Sequence, residues 1–236
     1  MRWVMRAVFA ALLVRSASLA AQTPGGSDAE GIGDAQMGDA PMMRHMELTA
    51  LRPGTAADTA RALALVRVLR QAIAPYVSVD SAQAAGYRFP PDLDLLPRKA
   101  LVHMGNPRLR PDGATAFEPS RPQALLYRRR PDGGLVLAGA MYTAPEGATL
   151  DQLDARVPLS VARWHRHVDV CLPGAGAPRG RALRRITTPE ACARAGGRFR
   201  AVSPRYMVHV MTDAGDDLAA AFPQGGAHDR MQMSAP

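Results

Sequence analysis

The run Ser160-Val161-Ala162-Arg163-Trp164-His165-Arg166-His167-Val168-Asp169-Val170-Cys171-Leu172 concentrates more chemistry than any other part of the chain. Read as a strand over residues 161–171, it alternates between two faces, so His165, His167, Asp169 and Cys171 point one way and Trp164, Arg166, Val168 and Val170 the other. Two imidazoles at i and i+2 can converge on one ion, because each ring nitrogen need only come within about 2.0–2.1 Å of it. The plainer reading is a core strand whose histidines hydrogen-bond to backbone or water. A strand here implies a sheet, and the rest of the sequence shows what kind.

Four further stretches are β-prone. Residues 101–104 carry His103 between apolar neighbours, and residues 206–212 alternate Met207, His209 and Met211 against Tyr206, Val208 and Val210. Residues 124–129 and 135–143 are joined by Arg130-Pro131-Asp132-Gly133-Gly134, a strong hairpin signal. Ahead of them, Thr55 and Asp58 form a capping box, and Ala62, Leu65, Val66, Leu69 and Ile73 recur at helical spacing until Pro75 ends the run. Short helices are expected at residues 80–85, near 149–156, and after Thr188-Pro189-Glu190. Because strands come as hairpins with no β-α-β alternation, the expected fold is α+β: an antiparallel sheet of about five strands, with one long amphipathic helix and short helices packed against it.

The ends of the chain bear on its compartment. Residues 1–6 carry two arginines, residues 7–14 are an unbroken apolar run, and Ser18-Leu19-Ala20 offers the small residues of a signal-peptidase site, with the cut after Ala20 or Ala21. An eight-residue apolar run is too short to span a bilayer, which takes about 20 residues. The expected organisation is a signal peptide at 1–20, a disordered lead-in at 21–47, one domain at 48–223 and a disordered tail at 224–236. The protein is thus expected to be exported, periplasmic or secreted, without a transmembrane segment. Cys171 and Cys192 both lie in the exported part, where oxidation is the default, and a disulfide between them would stabilise the fold by roughly 3 kcal/mol. A competing reading keeps Cys171 as a thiolate ligand beside the histidines.

Removing Arg2, Arg6 and Arg15 from a chain of net charge +8 leaves +5. Arginine clusters at residues 128–130 and 179–185 suit a weak anionic partner such as a cell-envelope polymer. With aromatics at only 5% there is little surface for stacking bases, so a nucleic-acid partner is not expected. The lead-in and tail carry Met37, Met42, Met43, His45, Met46, His228, Met231 and Met233, a soft donor set that tails also tolerate at little cost.

Arg121-Pro122-x-x-Leu125-Leu126-Tyr127, Gly139-Ala140-Met141-Tyr142-Thr143-Ala144-Pro145, Leu159-Ser160-Val161-Ala162-Arg163-Trp164-His165-x-His167 and Met207-Val208-His209 together resemble an uncharacterised family of exported bacterial proteins, over residues 48–211. The resemblance implies export, a single domain and a Trp-His-x-His core, and it supplies no reaction. Families better known for H-x-H fit less well. Val170 stands where the metallo-β-lactamase motif has its last histidine, and Leu159, Cys171 and Leu172 occupy the positions of the cupin glycine and glutamate. The ordered histidines therefore define the candidate site: His103, His165, His167 and His209 as ligands of a transition metal, Zn, Cu, Ni or Fe, with Asp169 as a ligand or as a partner of a ligating ring. The same histidines could serve a hydrolase-like metalloenzyme, or belong to the core of a structural or interaction domain.

Overall fold

The computed structural model describes residues 45–90, 93, 101–109, 117–175 and 183–223. The expected signal peptide, nearly all of the lead-in, the tail and most of the 179–185 arginine cluster lie outside these residues. Among the described residues, seven antiparallel strands, β1 (Met46–Leu48), β2 (Leu101–Gly105), β3 (Ala124–Arg129), β4 (Leu135–Thr143), β5 (His165–Pro173), β6 (Gly197–Val202) and β7 (Met207–Met211), combine with five α-helices, α1 (Ala56–Ile73), α2 (Val79–Ala84), α3 (Leu150–Arg156), α4 (Pro189–Arg194) and α5 (Leu218–Ala221). The sheet runs β1-β5-β7-β4-β3-β2, and β6 pairs with β5.

The α+β class holds, with more strands than the five expected. The two extra ones are short of sequence signal. β1 has only three residues and starts inside the stretch expected as lead-in, so the order reaches back to His45. In β6, glycine comes first and arginines alternate, so it reads as loop until it is laid against β5, with Phe199 facing Cys171 and Val202 facing Val168.

Local signals set the helices. Thr55 accepts from the Asp58 amide while the Asp58 carboxylate accepts from the Thr55 amide, closing the capping box. α1 then buries Ala62, Leu65, Val66, Leu69 and Ile73, and a 3-10 turn containing Pro75 takes over at its end. This stripe packs on one face of the sheet, formed by Val102 and Met104 of β2, Leu125 and Tyr127 of β3, Ala140 and Tyr142 of β4, and Val208 and Val210 of β7. Alternation sends His103, Leu126, Met141, His209 and Met211 to the opposite face, where Leu126, Ala138 and Met211 form a second, smaller apolar cluster.

β4 and β7 approach unusually closely at Gly139. A Cβ there would stand 2.1 Å from the Val210 carbonyl oxygen and 2.8 Å from the Met211 Cα, both backbone atoms that cannot turn aside. Gly139→Ala should therefore cost about 3 kcal/mol, the upper end for overpacking, read as a lower urea midpoint. Gly105→Ala is the control, since its Cβ would meet nothing within 4 Å; equal losses at both positions would remove the close approach as the cause.

Cys171 and Cys192 form a disulfide with a Cα–Cα distance of 5.5 Å. It packs with Leu183 as a third apolar cluster and ties α4 to β5. Gly197 lies against it, at a position where a Cβ would come within 2.8 Å of both sulfurs. Among the described residues, no helix is long and apolar enough to cross a membrane.

Candidate functional site

β5 starts at His165, later than the 161–171 strand read from the sequence. Residues 158–162 turn instead, with the Val161 and Ala162 amides donating to the Pro158 carbonyl. Trp164 is then clamped to the segment after β1: its amide donates to Thr49 Oγ1 at 3.0 Å and its carbonyl accepts from the Thr49 amide at 2.8 Å. This clamp precedes His165 directly and so decides which face of the sheet receives His165 and His167. On the outer side of the same strand, Arg166 makes a two-pronged ion pair to Glu47 of β1 and lies 4.9 Å from the ring centre of Tyr206, just ahead of β7. The hydrogen bonds to Glu47 raise the Arg166 pKa and keep its charge fixed behind the histidines.

Three strands bring the four expected histidines together. His103 comes from β2, His209 from β7, and His165 and His167 from β5. Their rings form a continuous chain: His103 to His209 at 4.8 Å between ring centres, His209 to His165 at 5.2 Å, and His165 to His167 at 5.7 Å. The Nε2 atoms of His103 and His209 are 2.9 Å apart. For two neutral rings, that contact makes one the donor and the other the acceptor. β2 and β7 have β3 and β4 between them, a span of about 14 Å across a flat sheet. Rings on strands so far apart meet because the sheet folds toward this face. All four histidines are at least 95% shielded from solvent.

Asp169 stands apart from the rings. Its φ of 52° is the only positive value among the described non-glycine residues; it breaks the alternation of β5, and the side chain is exposed. Cys171 is committed to the disulfide, so the reading of it as a thiolate ligand is set aside. His45, placed in the lead-in by sequence reasoning, is buried ahead of β1 with Nδ1 3.2 Å from the Val168 carbonyl. Only its pairing partner β5 reveals that position, and a single histidine in a polar, methionine-rich stretch gives no such signal.

No protein family, curated protein or solved structure matches this chain. What the site can do therefore rests on its own geometry. Among the described residues, no three or more His, Cys, Asp or Glu side chains stand ready-made around an ion. The rings touch, yet their nitrogens do not share one centre. Two imidazole nitrogens on one tetrahedral ion would be about 3.3 Å apart, somewhat wider than the 2.9 Å between His103 and His209. A separate groove of about 270 Å³ lies on the helical side, bordered by Arg61 and Leu65 of α1, Phe117 and Arg156. None of the histidines lines it.

Proposed function

We propose that the protein is exported and binds a transition metal through His103, His165, His167 and His209. The observation that carries this reading is the unbroken chain of three ring contacts that joins the four histidines, assembled from three strands on one buried face. Burying a polar ring costs free energy unless its nitrogens find partners, and a strand with valine at the same positions would avoid the cost altogether. Neutral imidazole suits Zn, Cu, Ni and Fe alike. Loading requires the rings to turn about their broad second side-chain torsion so that their nitrogens face a common point. The disulfide fits an oxidising compartment outside the cytoplasm.

A second reading has its own observation. The 2.9 Å contact of His103 with His209 suits a polar network that serves the fold alone, each ring satisfying its neighbour. Elemental analysis of protein exported in its native compartment separates the two. The expected result is about one ion per chain in the native protein, none in the His165→Ala/His167→Ala variant with the fold retained, and release of the ion on acidification, because imidazole must be unprotonated to bind it. Native protein that stays free of metal when offered these ions, paired with a variant that is merely unstable, would leave the polar network as the answer.

A further inference from the structure

We propose that the ion preferred at this site is Cu(I), held by thioether sulfur together with imidazole; this rests on the metal-binding reading above. The strand register carries the argument. Met46 of β1 faces His167, Met207 of β7 faces His165, and Met141 of β4 faces His209. Residues directly opposite in an antiparallel ladder project to the same face, with Cβ atoms about 4.5–5.5 Å apart. Three of the four histidines thus each have a methionine as immediate cross-strand neighbour, from three different strands. Met211, two residues beyond His209 and on the same side, is buried in the small cluster with Leu126 and Ala138.

Chemistry gives this pairing its meaning. Zinc sites draw on thiolate, imidazole and carboxylate, and a neutral thioether adds little to the binding of a borderline ion. Cu(I) is soft, prefers sulfur and imidazole, and makes no strict demand on geometry. The donors on this face are neutral nitrogen and sulfur, while Asp169 is exposed outside it and Cys171 is locked in the disulfide. With methionines rather than carboxylates or thiolates as the cross-strand neighbours of His165, His167 and His209, the face suits a soft monovalent cation better than a doubly charged one, whose charge it would leave uncompensated. Methionine's three rotatable bonds let each sulfur swing toward a ring-bound ion without moving a strand.

The test is competition for Cu(I) under anaerobic conditions, with a coloured Cu(I) chelator as the competitor. The full chain is compared with its Met46→Leu/Met141→Leu/Met207→Leu variant. Leucine conserves volume and keeps such swaps small in stability, and a thermal melt verifies that the variant is folded. The expected result is a loss of Cu(I) affinity on the order of ten- to a hundredfold in the variant, with Zn²⁺ binding unchanged and sulfur scattering at copper in X-ray absorption of the native protein only. Cu(I) affinity that is unchanged in the variant would overturn the thioether assignment while leaving a histidine site in place. Equal loss of Cu(I) and Zn²⁺ would overturn it as well, since the methionines would then act through packing. Failure of the native chain to bind either ion would instead bring down the metal-binding reading itself.

Discussion

Above a pH of about 10 the protein should lose stability steeply and unfold in alkali, with phenolate absorbance rising together with the loss of the far-UV signal. Tyr87, Tyr127 and Tyr142 are all buried in the core between α1 and the sheet. Each spends its hydroxyl on a backbone carbonyl: Tyr87 donates to Pro122 at 3.0 Å, Tyr127 to Tyr76 at 2.6 Å and Tyr142 to Pro119 at 2.5 Å. A phenolate cannot donate, and it cannot be hydrated there. Burial accordingly pushes the Tyr127 hydroxyl up to about 12, and moves Tyr87 and Tyr142 upward still further. Below pH about 10 the phenols are neutral in both states and pH has no leverage on them. Between there and the folded values, the unfolded chain releases its phenolic protons and the folded chain keeps them, so stability falls continuously as the pH rises. The check is a series of urea unfolding curves across this range. Tyrosines that all titrate near pH 10 with the fold intact would contradict the burial argument. Tyr127→Phe should flatten the pH dependence while giving up one hydrogen bond at neutral pH.

Trp164→Ala should be the most damaging single substitution in the core, at about 3–5 kcal/mol. That is a large part of the 5–15 kcal/mol that holds a typical domain. Trp164 is fully buried and heads the large side chains of the main core, beside Val157, Leu159 and Ala162. Its indole Nε1 lies 3.5 Å from the Val157 carbonyl, and its backbone pairs with Thr49. The ring therefore anchors the point at which β5 begins. Trp164→Phe should keep most of the anchoring and lose far less. The other tryptophan of the sequence is Trp3, so in protein prepared as residues 21–236 the fluorescence reports on Trp164 alone. Urea unfolding followed by circular dichroism serves all three forms. A loss below about 1.5 kcal/mol for the alanine variant, the range of a volume-conserving swap, would show that the pocket collapses and that the start of β5 is held by other contacts.

Helix α1 was legible almost residue by residue. Its cap is local chemistry between Thr55 and Asp58, and its buried stripe follows from a period of 3.6 that the sequence carries openly. The hairpin at residues 130–134 was equally plain, since Asp132-Gly133-Gly134 meets the conformational need of a tight turn, with Gly133 at a φ of 88°. The bond between Cys171 and Cys192 followed from there being only two cysteines in a chain whose first residues read as an export signal. These features depend on residues near one another in sequence or on a count.

What the sequence by itself determined is thus the class of the fold, its long helix, the hairpin, the disulfide and the placing of His103, His165, His167 and His209 on strands. Only the tertiary structure decided that those four rings meet. A period of two states that a histidine lies on one of two faces. It does not say which faces of different strands coincide, because that depends on sheet order, and β2 and β7 become neighbours through space only across β3 and β4. The same limit misplaced Asp169, whose positive φ at a single residue turns its side chain out of the alternation that spacing had assumed. It also hid β1 and β6, whose short or arginine-bearing sequences form strands only because β5 offers them an edge. The pairing of Met46, Met141 and Met207 with histidines is a fact of register, fixed by backbone hydrogen bonds between segments far apart in the chain.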